Sequence, residues 1–429
     1  MRRHNWTRLF VWILLLAGYL MCFSWGVSAY YAVFGVIVAY MYRTRYLFAT
    51  SPILGKLIVF ALLVNLITTA NYCLLEDFDL NTSWFLQLSL VPFILCFTQY
   101  VVRYDFPHFQ KACLLFLLCL CLPTALIAFL INWYSNPAGL SFLLTEGIIT
   151  GEVYSFVRSA HVQLGLFKST LPWLMCCLTI LSSPLLTRRQ STLCFLCVLS
   201  YTFVTGSKST LLGLAVVLCV YAVCRFRTRV ALFLLLLCAN VLILAANFDY
   251  FNEICLYDGR YFAPVFSSEG FWSRPLGIGY GNYVEGMRRG VFGENPFDTY
   301  ACSWIHTEMD SMYDMYVVAE SDVLGFSVSF GWVAFAVLVF LAIRIIAHNL
   351  SHYEQKNSLQ KVGFYLFLFL IGSGLTQDYF NVPISWLFYG MSFTLMVDNP
   401  AVSRDASRTI PKTAPFQASC FPTIGTSPR

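Results

Sequence analysis

Apolar residues along this chain do not alternate with polar ones. They run together in long blocks separated by short polar connections, at about 9–26, 27–42, 53–75, 85–102, 112–134, 170–186, 191–205, 209–224, 230–247, 323–343, 362–376 and 384–397. A continuous apolar run of about 20 residues matches the hydrocarbon thickness of a bilayer when wound as a helix. Barrel strands would show a two-residue period instead. The pattern predicts an all-α polytopic membrane protein of about twelve transmembrane helices, with one large outer loop between the ninth and tenth spans. Four regions follow: spans 1–9 over 1–247, the loop over 248–321, spans 10–12 over 322–397 and a disordered inner tail rich in Pro, Ser and Thr over 398–429. The blocks within 191–224 and 362–397 are short enough to be re-entrant or broken rather than crossing.

Composition sharpens this picture. Hydrophobic residues make up 58% of the 429 positions and charged residues only 11%, with a mean hydropathy of +0.68. A soluble domain carries about 25% charge, so the composition excludes a disordered chain, a secreted disulfide scaffold and an ordinary soluble enzyme. Charge then sets direction, because cytoplasmic connections carry the excess of Lys and Arg. With the N-terminus inside, twenty of the twenty-seven basic residues face inward. The other seven, Arg158, Lys208, Arg260, Arg274, Arg288, Arg289 and Lys168, fall in three outer connections. The net charge of +5 is therefore a topology signal and gives no reason to expect a nucleic-acid partner. A basic start before an apolar run also describes a signal peptide. Here the first run passes through Gly26 into a second, which favours a hairpin of two membrane helices.

Twelve of the sixteen cysteines lie in apolar blocks, where they act as small hydrophobes. Cys194 and Cys197 form a CxxC with no second pair and no histidines nearby, which argues against zinc or redox chemistry. Cys255 and Cys302 share the large outer loop, where a bridge is open but not required. That loop holds eleven of the twenty-two acidic residues, and its length argues for more than a solvated connection. Its GIGYG core (277–281) lacks the strand, helix and third glycine of a dinucleotide site, and TGSKST (205–210) lacks the glycine spacing of a phosphate loop. EDFDL (76–80) could hold a divalent cation through two carboxylates, but a short acidic connection explains it as well, and no metal or other cofactor is expected.

Several segments together resemble the bacterial O-antigen polymerase and ligase superfamily. TGSKSTLLGLAVVL (205–218) is similar to the family's Ser-Arg-Gly-Ala-type span start. DGRYFAPVFSSEGFWSRPLGIGYGNY (258–283) resembles its Ser-Gly-Arg stretch followed by a Pro-Leu-Gly-Ile-Gly-x-Gly-Asn turn, and DSMYDMYVVAESDVLGF (310–326) resembles the segment that re-enters the membrane. RSAHVQLGLF (158–167) is similar to an upstream arginine-containing loop. The family's arginine in the first motif is Lys208 here, and the ligase histidine slot falls near Ser311, which favours the polymerase branch.

The resemblance implies an enzyme of the bacterial inner membrane, with both termini cytoplasmic and the large loop periplasmic. It implies joining of oligosaccharide repeat units carried on undecaprenyl pyrophosphate at the outer leaflet, without a metal. The partners are those lipid-linked oligosaccharides, membrane lipid and a chain-length regulator protein. Arg260, Arg158, Lys208 and Arg274 would bind the pyrophosphate, and Asp310, Glu308 or His306 would act as the base, Asp310 first. Tyr261, Phe271, Trp272, Tyr280, Tyr283 and Trp304 could stack on sugar faces or form an interfacial belt. The alternatives are a ligase of the same superfamily and a polysaccharide flippase or transporter.

Overall fold

The computed structural model describes residues 2–23, 82–135, 170–225 apart from 206, most of 265–282, 321–375 and 383–397, with scattered positions elsewhere. All regular structure among these residues is helical, apart from a single bridge residue at Phe23.

The chain order begins with α1 (Arg2–Leu20), α2 (Thr82–Tyr104), α3 (Phe106–Phe116) and α4 (Leu122–Ser135). There follow α5 (Thr170–Ser182), α6 (Arg188–Thr205) and α7 (Lys208–Arg225). The one-turn α8 (Glu269–Trp272) precedes α9 (Asp322–Ser351), α10 (Ser358–Gly374) and α11 (Pro383–Val397). Nine of the twelve predicted spans thus have a helical counterpart. The block at 53–75 is helical at each position described, 27–42 is described only at its helical residues 35 and 36, and 230–247 lies outside the described residues.

The boundaries shift for local reasons. α2 and α3 are separated by Asp105 alone, with Pro107 in the first turn of α3, where its missing N–H costs nothing. α3 and α4 run together through a π turn, Leu117–Cys121, just before Pro123. The proline ring cannot accept the regular fit against the preceding turn, and the extra residue of a π turn gives it room. α10 starts at Ser358, ahead of the predicted 362, because Asn357 and Gln360 form a reciprocal capping box.

α5 is the centre of the bundle. Every residue from Thr170 to Ser182 except Ile180 is buried, and Trp173 stacks edge-on against Phe388 of α11 at 5.6 Å. A helix apolar on all sides must be covered on all sides. α10 packs between α7 and α11 through very close backbone approaches. A side chain at Gly213 would meet the Phe369 carbonyl at 2.8 Å, and one at Gly372 would meet Gly213 Cα at 3.0 Å.

Contacts at the helix ends show which termini share a face. Arg8 Nε donates to Asp105 Oδ2 at 3.3 Å, and Gln110 Nε2 donates to the Leu181 carbonyl at 3.0 Å. The start of α1, the α2–α3 turn and the end of α5 therefore lie together. Tyr353 and Tyr365 share a hydroxyl hydrogen bond, and Tyr221 faces Tyr365 at 6.2 Å, which joins the ends of α7 and α9 to the start of α10. At the other end Trp173 Nε1 donates to Ser373 Oγ at 3.2 Å, and Ser321 Oγ donates to the Leu375 carbonyl at 2.9 Å. This alternation gathers Arg8, Arg103, Lys111, Arg188, Arg189, Arg344, Lys356 and Lys361 toward one end of the bundle, the basic end.

The outward surface is apolar. Leu126, Ile127 and Leu130 of α4, Leu193 and Leu196 of α6, and Val333, Val337, Phe340 and Ile343 of α9 are all exposed. Two helical stretches are long and apolar enough to cross a membrane, Phe106–Ile131 and Asp322–Ser351. Cys22, Cys113, Cys121, Cys176 and Cys177 are buried thiols without a disulfide, as small hydrophobes would be. Cys255, Cys302, the EDFDL pair and the tail lie outside the described residues.

Candidate functional site

The segment leading into Arg274 is built by short-range capping. Ser268 Oγ donates to the Val265 carbonyl at 2.7 Å and accepts from Phe271 N at 3.1 Å, which starts the single turn of α8. Gly270 lies directly against the Val291 carbonyl, leaving no room for a side chain. Arg274, half-buried, folds back so that Nη1 donates to the Gly270 carbonyl at 3.3 Å. Four of its five N–H donors remain beyond that bond. Gly277 N donates to the Arg274 carbonyl at 3.0 Å, closing a turn from which the chain leaves through the positive φ of 75° at Gly277.

This turn meets a break in α9. Gly331 has φ 79° and ψ 168°, which divides the helix into 322–330 and 332–351. In an unbroken helix the carbonyls of Val328 and Ser329 would accept from residues 332 and 333. Here they accept from Ile278 N and Gly279 N, each at 3.0 Å. The loop backbone thus satisfies acceptors that the break releases, as buried polar groups demand. Trp332 Nε1 adds a bond to the Trp272 carbonyl at 3.2 Å.

The 322–330 half of α9 is largely buried, whereas most of 332–351 is not. Its first residue, Asp322, is only 4% exposed, and its carboxylate packs directly on the Cα of Gly374 at the end of α10. Tyr389 of α11 lies within electrostatic reach. Ser321, directly before Asp322, donates to the Leu375 carbonyl just past Gly374. Lys208 opens α7 about one and a half turns beyond the Gly213–Gly372 contact, so its backbone belongs to this same end. Ser207 and Thr210 hydrogen-bond through their hydroxyls at 2.8 Å across that helix start.

Two of the predicted anion-binding residues are therefore placed. Arg274 sits on the turn docked to α9, and Lys208 heads α7. Arg158, Arg260, His306, Glu308 and Asp310 lie outside the described residues, as do Tyr261, Tyr283 and Trp304. Among the remaining predicted aromatics the structure separates two roles. Phe271 and Tyr280 are buried, with Tyr280 stacked on Phe330 at 5.7 Å, so they pack the loop onto α9 and are not free to stack on a sugar. Trp272 is 56% exposed and keeps a ring face available. The described part of the GIGYG run, 277–280, is a turn with Gly277 and Gly279 at positive φ.

Asp322 is the residue that sequence reasoning passed over. Its signal was an acid at the head of a long apolar block, two residues after Glu320, where the sequence marks the boundary between the loop and the tenth span. Among the described residues no group of three or more His, Cys, Asp or Glu side chains is arranged to hold a metal ion. The chain matches no family model, no curated protein and no solved structure.

Proposed function

We propose that this chain is a bacterial inner-membrane polymerase that joins undecaprenyl-pyrophosphate-linked oligosaccharide repeat units at the outer leaflet. A sugar hydroxyl of one unit attacks the anomeric carbon of another chain, and lipid pyrophosphate leaves. The observation that carries the reading is the docking of the Arg274 turn onto the broken α9 at the end of the bundle opposite the cations. On this reading the guanidinium beside that helix is the group that meets the lipid-linked pyrophosphate. Negative charge gathers on the leaving pyrophosphate, and a fixed guanidinium lowers the barrier by stabilising it; loss of one such group costs roughly 10²–10³ in rate.

The apolar outer surface supports a bilayer setting, since water would penalise so many exposed large side chains. The half-helix 332–351 alone rises about 30 Å, enough to cross the hydrocarbon. On this reading arginine and lysine side chains neutralise the charge without a metal, so turnover of lipid-linked substrate is expected to persist in excess chelator.

Deletion of the gene followed by gel analysis of surface polysaccharide tests the reading. The expected result is collapse of long ladders to single repeat units. Long polymer accumulating on undecaprenyl pyrophosphate would instead mean a ligase, and unpolymerised units trapped inside would mean a flippase.

A further inference from the structure

We propose that Gly277 and Gly331 form a backbone lock whose task is to position Arg274, making both glycines positioning residues for pyrophosphate binding; the ligand rests on the polymerase reading, and the lock itself does not. Both glycines stand at positive φ, and they touch. A Cβ on Gly277 would come within 2.5 Å of Gly331 N and of the Val328 carbonyl. A Cβ on Gly331 would run into the carbonyl of Pro275 and the nitrogen of Gly277. These neighbours are backbone atoms, which cannot swing aside as a side chain can. No other residue type fits at either place.

The lock is closed on both flanks. Ile278 and Gly279 donate to Val328 and Ser329, and the Trp332 indole donates to the Trp272 carbonyl. Phe271, Trp272 and Phe266 pack around Trp332 and Phe335, with Trp272 and Trp332 at 6.0 Å and Phe266 and Phe335 stacked at 6.3 Å. Arg274 directly precedes Pro275, at the mouth of this contact, and its backbone carbonyl receives the Gly277 N–H. Breaking the lock must therefore release the arginine. The half-helix 322–330 carries the lock at one end and the buried Asp322 at the other, so it ties the arginine to the α10 terminus across about 13 Å of helix.

The experiment uses the full chain in nanodiscs with undecaprenyl pyrophosphate as the probe. Arg274→Ala and Gly277→Ala are each expected to weaken binding by about tenfold or more, and the double variant to be no weaker than Arg274→Ala alone, because groups acting as one unit do not add. If the two losses multiply, or if Gly277→Ala binds as the wild type does, the lock does not act through Arg274 and the inference is overturned. If Arg274→Ala itself binds normally, the pyrophosphate assignment fails instead. A second measurement covers the chance that Gly277→Ala misfolds. The backbone N–H groups of Ile278 and Gly279, which donate to Val328 and Ser329, should exchange slowly with solvent deuterium in the native protein and much faster when Gly331→Val is introduced. Fast exchange of both in the native protein would remove the lock.

Discussion

Asp322 concentrates the residue-scale chemistry. A buried carboxylate costs free energy unless its surroundings compensate, and Asp322 is only 4% exposed, so it is a candidate for a role beyond packing. Its place in the first turn of α9 offsets part of the cost, because the helix N-terminus favours an anion. Asp322→Asn keeps the shape and removes the charge; we expect the protein to accumulate normally while polymer falls at least about tenfold. Asp322→Glu should do no better, since Gly374 leaves no space for another methylene. Quantifying ladder intensity against membrane abundance decides it, and a wild-type ladder from Asp322→Asn would make the carboxylate structural. Arg274→Lys belongs beside it. The ammonium keeps the charge but loses the planar fork, so it should recover only part of what Arg274→Ala loses. Both residues show what the sequence could and could not reveal. Arg274 was legible from its Pro-Leu-Gly-Ile-Gly neighbourhood, whereas Asp322 was hidden at the edge of an apolar block because only folding brings Gly374 and Tyr389 to it.

At the scale of elements, the helical nature of the long apolar blocks was legible because their apolar runs do not alternate, and α2, α5, α6, α7 and α11 fall close to their predicted limits. The break at Gly331 was not legible. A lone glycine inside an apolar run is tolerated in many helices, and the reason for this one lies more than fifty residues upstream in the turn at 275–279. Glycine serves a different end in α7 and α10, where Gly213 and Gly372 bring two backbones into contact as small residues do between membrane helices. Gly372→Leu should force that crossing apart. The expected outcome is a marked drop in folded protein recovered from detergent, measured by size-exclusion profile, with Gly35→Leu as the comparison, since nothing lies within 4 Å of a side chain there. Equal recovery of the two variants would show that the close crossing contributes little.

For the molecule as a whole, folding brings Lys208, Asp322 and Gly374 to one end of the bundle and docks the Arg274 turn on α9 about 13 Å of helix from Asp322, and no spacing rule in the sequence foretells this. Charge distribution does carry across scales. Ion pairing at Arg8–Asp105 and the Gln110–Leu181 bond tie three helix ends into the basic end, and Trp173–Ser373 with Ser321–Leu375 tie three others opposite. Two independent lines thus meet: the cation bias of the sequence and the end-to-end contacts of the folded helices. If the basic end faces the cytoplasm, as the positive-inside bias requires, then Lys208, Arg274 and Asp322 face outward, where a lipid-linked acceptor and donor can meet. Reporter fusions check this directly. A periplasm-active reporter placed after residue 285 should be active, and one placed after residue 397 should be silent, with a cytoplasm-active reporter giving the reverse. A fusion after residue 285 that reports cytoplasm would turn the bundle over, put the arginine turn on the wrong side of the bilayer for an outer-leaflet substrate, and end the polymerase reading.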